Sequence, residues 1–470
     1  MKNVKGRRML KYVILGIALT AGLALAIGLS FVLGKGTGSK AYAIARAEYP
    51  KVVENPYSKE YLTSDARKKA IEEWNEYLAS VQMEPGYENG VEAYMEKSLQ
   101  AFLGDAREEN LTFSPLNVYM ALAMLAESTQ GESRRQILQA LGQTDLTDLR
   151  KQAQSIWLAN YKKDETSTCI MASSLWLNDG IPYELQTLER MKENYFASSF
   201  QGRMGDKGYD EAYRNWLNEQ TGGFLKNQLA DAHLEPDTEE QKSVLMLATT
   251  IYFKARWSKE FAKNGTNRQT FHAPDGDEDR EFMHQTEYTY YWGEHFGAIS
   301  LPMRGNAAMW IILPDEGASV ETVLEEDVHD LMEMFGCQCG KTDYENCRDM
   351  KVYLELPKFD VSSRINLQDG LQRLGIEDVF RRDKADFTPL LKENLAKDWG
   401  VYVTKAQHDA RVSIDEEGVI AAAVTQIGMS GTGMPPEDLE EIHFVVDRPF
   451  LFVVTGDRGL PLFAGVVNEP

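Results

Sequence analysis

The apolar positions of this chain change their period from one end to the other. Tyr12 to Leu33 is an unbroken uncharged run. From Ser64 to Val81, Ile71, Trp74 and Leu78 share one face among Lys, Glu and Arg, the spacing of an amphipathic helix. A second helix is predicted over Val91–Leu103, with Met95, Leu99, Phe102 and Leu103 inward. Phe113-Ser114-Pro115 breaks the pattern, and Val118–Leu125 resumes it. Glu211–Leu229 is again helical, with Tyr213, Trp216 and Leu217 inward and Gly222-Gly223 as an interruption. Later the period shortens. Val244–Lys254, Ala308–Leu313 and Val352–Leu356 read as strands, Leu367–Leu374 as a helix, and Phe450–Val454 and Leu462–Val467 as two apolar strands close to the end. Helices early and strands late predict one mixed α+β domain with large, mainly antiparallel sheets. No internal repeat is visible.

One stretch fits neither period. Glu416-Glu417-Gly418-Val419-Ile420-Ala421-Ala422-Ala423-Val424-Thr425 is small and β-compatible. Gln426 to Met434 is Gly-rich and ends at Pro435-Pro436. It is too long for a hairpin turn and too rich in glycine for a core strand. Loops beyond about 12–15 residues are usually functional or disordered. Inside dense strand sequence, function is the reading taken here.

Charge and targeting narrow the function classes. Lys and Arg number 50 against 72 Asp and Glu, a net charge of −22, so no nucleic-acid partner is expected. Lys2, Lys5, Arg7, Arg8 and Lys11 precede the apolar run, whose 22 residues would reach roughly 33 Å as a helix, enough to cross a bilayer core. A secretory leader usually has an apolar core of only about 7–15 residues, so the length favours a retained anchor. Cleavage after Ala41-Tyr42-Ala43 is the competing reading. The basic flank predicts that the body faces outward. The chain thus divides into a signal-anchor at 1–33, a stalk with an amphipathic helix at 34–88 and a globular domain at 89–470. The body is expected to be extracellular or at the cell surface, with the membrane as a partner through the N-terminal segment.

Enzyme chemistry finds little support. Met429-Ser430-Gly431 lacks the strand-to-helix context of a hydrolase nucleophile. Neither a Walker-type phosphate loop nor His-Glu-x-x-His occurs, and the seven histidines are scattered. No catalytic activity, cofactor or metal is expected. Cys337, Cys339 and Cys347 cluster, leaving a zinc site without an obvious fourth ligand, a local disulfide, or free thiols as open readings. Cys169 stands alone.

From about Val91 to Pro470 the chain resembles the serpins. The resemblance rests on Asn110-Leu-Thr-Phe113-Ser114-Pro115, Ile251-Tyr252-Phe253-Lys254 through Trp257 and Phe261, Leu313-Pro314-Asp-Glu-Gly317, and Leu356-Pro357-Lys358-Phe359. Leu374-Gly375-Ile376, Asp447-Arg448-Pro449-Phe450 and Phe463-Ala-Gly465 complete the order. It implies a serpin fold with mainly antiparallel sheets, about nine helices and an exposed reactive-centre loop. It also implies a monomer that inhibits serine proteases as a suicide substrate, its cut loop entering the central sheet as a strand. Glu416, Glu417, Gly418, Val419, Ile420, Ala421, Ala422 and Ala423 are then the hinge. Fourteen places after Gly418 lies Thr432, so the implied reactive bond is Thr432–Gly433, with Met429–Ser430 as a rival. Once inserted, Val419, Ala421, Ala423, Thr425, Ile427 and Met429 would face the core, and none is charged.

Several positions depart from the family's habit. Val419 and Ile420 replace more polar hinge residues. Ser114, Asn117 and His408 match a sheet-opening cluster, but Asn117 stands where Ser is common, and Thr249 where Asn is common. Trp257 matches the loop-entry tryptophan. No basic run in Ser133–Gln154 suggests a glycosaminoglycan site. The uncharged Thr432 favours a shallow apolar protease pocket, elastase-like or subtilisin-like. The alternative function is a non-inhibitory serpin that binds a ligand or partner.

Overall fold

The computed structural model describes residues 11–21 (as backbone), 38–53, 56, 63–82, 86, 90–106, 109–163, 166–221, 223, 232–234, 241–337, 343–392, 395–419 and 439–470. Among the described residues, seven α-helices are interleaved with short strands before residue 241, namely α1 (Ser64–Val81), α2 (Val91–Leu103), α3 (Pro115–Ser128), α4 (Gly131–Ala140), α5 (Leu146–Asn160), α6 (Leu185–Tyr195) and α7 (Lys207–Gln220), and α8 (Val320–Glu326), α9 (Val328–Cys337), α10 (Leu367–Arg373) and α11 (Leu395–Trp399) follow. Their starts follow from local chemistry. Thr63, Ser114, Asp145 and Asp206 each cap a helix by accepting a first-turn N–H, and Pro115 supplies the preset φ that opens α3.

Two sheets carry the rest. The first runs β13 (Asp360–Asn366), β15 (Gln407–Ser413), β1 (Lys11–Ala21), β7 (Gln241–Arg256), β5 (Ser167–Asn178), β6 (Ala197–Gly202) and β2 (Ala43–Ala45). The short β4 (Lys162–Lys163), β14 (Tyr402–Val403) and β16 (Gly418–Val419) attach to it. The second runs β17 (Glu441–Val445), β12 (Cys347–Pro357), β9 (Gly276–Trp292), β10 (Phe296–Met303), β11 (Ala307–Pro314), β18 (Phe450–Thr455), β19 (Pro461–Val467) and β3 (Leu111–Phe113), with β8 (Asn267–Ala273) paired to β9. The architecture is α+β, and most neighbouring strands are antiparallel, as the sequence predicts.

Alternation along β5 splits the core between two faces. Cys169, Met171, Leu175 and Leu177 join the large cluster that holds α3, α5 and α6. Ala172 and Trp176 face a smaller cluster with Phe200, Met246, Ala248 and, from α7, Tyr209, Tyr213, Trp216 and Leu217. The inner helices are pinned by a buried charge. Glu127, at the end of α3, pairs with Arg150 of α5 and Arg190 of α6, each at 2.6 Å. Burial works against its ionisation, but hydrogen bonds from the two guanidinium groups hold its carboxyl below the usual range.

The N-terminal region departs from the expected anchor and free stalk. Lys11–Ala21 is a strand, parallel to both β7 and β15. Two open strand edges satisfy its backbone as a helix would. The remainder of the apolar run lies outside the described residues, and among those described no helix is long and apolar enough to cross a membrane. The stalk reading is corrected for residues 38–53. They pack on the body, with β2 as an added edge strand on β6. The helix α1 matches its predicted span but buries none of its residues. Among the described residues Cys337 and Cys347 are not joined in a disulfide, Cys347 is a thiol donating to the Tyr344 carbonyl at 3.3 Å, Cys339 lies outside them, and Cys169 is buried, which pushes its thiol up to about 12.

Candidate functional site

The hinge sits where the first sheet meets the second. After β15, Ile414 bridges Val419 across the turn Asp415–Gly418. One oxygen of Asp415 accepts from the backbone N–H of Glu417 (2.8 Å) and of Gly418 (3.2 Å), and the Asp415 N–H returns a bond to the Gly418 carbonyl at 3.0 Å. Burial pushes the Asp415 carboxyl up, and those two backbone bonds offset part of that rise. Gly418 is glycine for a steric reason: a Cβ there would collide with the Ala255 carbonyl oxygen.

The turn rests on Trp257. Its N–H donates to the Glu417 carbonyl at 3.1 Å, its indole Nε1 to the Asp415 carbonyl at 2.8 Å, and the Phe261 N–H to the Glu416 carbonyl at 3.0 Å. The acid side chains are held as well. Glu416 accepts from Thr266 (2.8 Å) and pairs with Lys358 (3.2 Å), while Glu417 pairs with Lys263 (2.5 Å). Burial opposes the charge on Glu416, yet the Thr266 bond and Lys358 keep its carboxyl low. Asp415, Thr266 and Lys263 carry no sequence signal for this site, and Lys358 enters from sequence only within the block Leu356–Phe359. They come from separate segments, and only the folded chain brings them to the hinge.

Beyond the turn, β16 pairs antiparallel with the end of β7, Gly418 opposite Arg256 and Val419 opposite Ala255. Val419 is 2% exposed and lies in the inner cluster. The departure from the family's more polar residue at this position is thus accommodated by the core. Ile420, Ala421, Ala422 and Ala423, and the bond Thr432–Gly433 with its rival Met429–Ser430, lie outside the described residues.

Further down the same seam lies the sheet-opening group. The Ser114 N–H donates to His408 Nε2 at 2.8 Å, and the Ser114 hydroxyl accepts from the Asn117 N–H at 3.2 Å. The His408 proton therefore sits on Nδ1. His408 Nδ1, Asn117 Nδ2 and Thr249 Oγ1 are buried with no hydrogen-bond partner among the described residues. Full burial pushes His408 down to about 3. Thr249 on β7 and His408 on β15 both face Leu19 of β1 in register. Ser114, Asn117 and His408 thus meet in one place, while Trp257 belongs to the hinge above it.

The family model for Serpin (serine protease inhibitor) matches residues 94–470. Among curated proteins, the chain is similar to plasminogen activator inhibitor 1 of Neovison vison, at 28% identity over 387 residues, covering 78% of this chain and 88% of that protein. It is similar too to an uncharacterized serpin-like protein of Thermococcus kodakarensis, at 29% identity, covering 77% of this chain and 81% of the relative. Among solved structures, the native state of the thermophilic serpin tengpin superposes with a TM-score of 0.69 at 24% identity, covering 83% of this chain and 95% of that one, a likeness of fold.

Proposed function

The chain belongs to the serpin family, and from that premise we propose that it is a suicide-substrate inhibitor of serine proteases, elastase-like in their pocket, cut at Thr432–Gly433. The protease serine oxygen attacks the Thr432 carbonyl carbon, the Gly433 amine leaves with a proton supplied by the protease, and an ester joins the two proteins. The freed loop then enters the first sheet between β7 and β15 before water can cleave that ester.

One observation carries this reading: β16 already lies antiparallel on β7 with Val419 inward. Each further loop residue would fall one place earlier on β7. Ala421, Ala423, Thr425, Ile427 and Met429 then share the inner face with Val419. Thr432 would come opposite Lys242 and Gly433 opposite Gln241, the first residue of β7. The loop up to Thr432 therefore uses the length of β7 almost fully, which favours that bond over Met429–Ser430. Asn117 Nδ2, Thr249 Oγ1 and His408 Nδ1, without partners among the described residues, lie below the hinge, and a buried polar group left so costs about 1–3 kcal/mol.

In the structure β1 holds the place from Gln241 to Ile251, running parallel where the loop would run antiparallel. The two strands are alternatives for one site, and β1 must leave for the loop to enter. We place the body outside the cell, with Tyr12–Leu33 as its leader or anchor. A membrane that takes up this run would also vacate the sheet.

The test is to mix the full chain with pancreatic elastase. A covalent band that survives SDS, with release of a fragment beginning at Gly433, is expected. Clean cleavage with no covalent band would overturn the inhibitory reading. Rapid stoichiometric inhibition of trypsin with no effect on elastases would overturn the assigned target class.

A further inference from the structure

The end of α3 gathers a charge cluster opposite in sign to the chain as a whole. Glu127 lies in the last turn of α3, and its side chain is 1% exposed. Arg150 of α5 grips it with a fork, Nε to Oε2 at 2.9 Å and Nη2 to Oε1 at 2.6 Å. Arg190 of α6 donates from Nε to the same Oε1 at 2.6 Å and from Nη2 to Thr187 Oγ1 at 2.8 Å. The Tyr195 hydroxyl reaches Oε2 at 3.4 Å. Arg134 of α4 comes to the same helix end, its Nε donating to the Ala126 carbonyl at 3.1 Å. The three arginines belong to three helices, so only the folded chain collects them.

Three guanidinium charges thus meet one carboxylate, in a chain whose net charge is −22. Both Glu127 oxygens are already taken by Arg150 and Arg190. Arg134 is answered directly only by the partial negative charge at the end of α3. Burial pushes Arg134 below the ordinary arginine value. Glu127 draws it back in part, and the like charges of Arg150 and Arg190 push it down further. The acids around the cluster are engaged elsewhere. Asp386 accepts from Gln130 Nε2 (3.2 Å) and the Thr388 N–H (3.1 Å), Glu132 pairs with Arg135, Asp148 with Lys151, and Glu189 with Lys192. Among the described residues, neither terminal nitrogen of Arg134 has an acceptor, nor has Nη1 of Arg190. Arg150 is 26% exposed and Arg190 34%, so a small ligand can reach the arginines but not the covered carboxylate.

We propose that Arg134, Arg150 and Arg190 form a binding site for one small tetrahedral dianion, inorganic phosphate or sulfate. The two charges of the ion match the surplus that remains once Glu127 has neutralised one guanidinium. A guanidinium fork meets a tetrahedral oxyanion with two parallel N–H bonds, a geometry that lysine cannot supply. Arg134 offers such a fork in Nη1 and Nη2, Arg190 adds Nη1, and Arg150 adds charge. A bound ion fastens α4 and α6 to the end of α3 and so stabilises the helices behind the first sheet. The inference stands apart from the loop: it needs neither the reactive bond nor strand insertion.

The experiment uses the full chain and takes two readings. The first is equilibrium dialysis against radiolabelled inorganic phosphate at fixed ionic strength, with unlabelled sulfate as competitor. Saturable binding of a single ion, displaced by sulfate, is expected for the wild type. Binding should weaken by about tenfold or more in Arg134→Gln, and also in Arg134→Lys, which keeps the charge but loses the fork. The second reading is thermal unfolding as chloride is exchanged for phosphate or sulfate. Excluded salts stabilise proteins in general without saturating, so the site is read as the saturating part of the rise. That part should be about 2–4 °C in the wild type and absent from Arg134→Gln. No saturable binding to the wild type up to about 20 mM would overturn the site, whether or not the variants fold. Equal binding by all three proteins would overturn its assignment to Arg134. Binding of heparin with no response to phosphate or sulfate would also overturn it, because the arginines would then serve a long polyanion instead.

Discussion

At the scale of single residues, the seam between β7 and β15 is controlled by a few side chains whose surroundings give signed predictions. His408 is buried and its folded value is depressed to about 3, against an ordinary 6.5. Above pH 6.5 it is neutral whether the chain is folded or not. As the pH falls from 6.5 toward 3, the unfolded chain takes up a proton that the folded chain refuses, and stability is lost. At pH 5 this loss relative to pH 7.5 is about 2 kcal/mol. His272, His295 and His329 act in the opposite sense. Hydrogen bonds to Asp277, Asp327 and Glu96 raise them, so their contribution is present in acid and fades as pH rises through their folded values. Comparing wild type with His408→Gln by urea unfolding at the two pH values isolates the first effect, and parallel shifts in both proteins would contradict it. Gly418 gives a second test. Gly418→Ala sets a methyl group against the Ala255 carbonyl, so β16 should detach from β7. A loss of about 1–3 kcal/mol in folded stability and faster amide exchange at Val419 are expected.

At the scale of elements, the loop works as a strand only if its inner face stays apolar. Val419 already lies in the inner cluster, and Ala421 is the next residue of the same parity. Ala421→Arg would carry an unpaired charge into that cluster, at a cost of several kcal/mol. The expected outcome is a change from inhibitor to substrate: elastase cleaves the variant at an unchanged rate but forms no covalent band. Arg at Ala422, whose parity would put it on the opposite face of the inserted strand from Val419, should impair inhibition far less than Arg at Ala421. Much of this was legible in the sequence, since helical and strand periods are local. The span of α1 and of α2 follows from its apolar spacing, and β7, β11 and β12 from short apolar runs. The loop's uncharged alternation is likewise a local pattern. The hinge and Trp257 were legible through the family resemblance, but the partners that hold the turn were not, because Asp415, Lys263, Thr266 and Lys358 meet there only through long-range pairing. Residues 38–53 were misread for the same reason. Their small and polar composition suits a stalk, and Tyr42 and Tyr49 show their purpose only against Tyr209 and Trp157.

At the scale of the molecule, three segments bear on one sheet. The loop supplies a strand that would run antiparallel to β7, Lys11–Ala21 occupies most of the same place in the parallel sense, and residues 43–45 add a short strand at the far edge on β6. A chain beginning at Gly38 should therefore insert its cut loop faster than the full chain, as followed by the rise in thermal stability after cleavage. Equal rates would show that β1 does not compete with the loop. The central claim is that the cut loop becomes a strand of the first sheet, and the most direct measurement of it is thermal unfolding before and after one cut between Gly418 and Pro436. Burial of the inner face from Ala421 to Met429 predicts a rise of more than about 10 °C. An unchanged or lowered unfolding temperature after complete cleavage would contradict it.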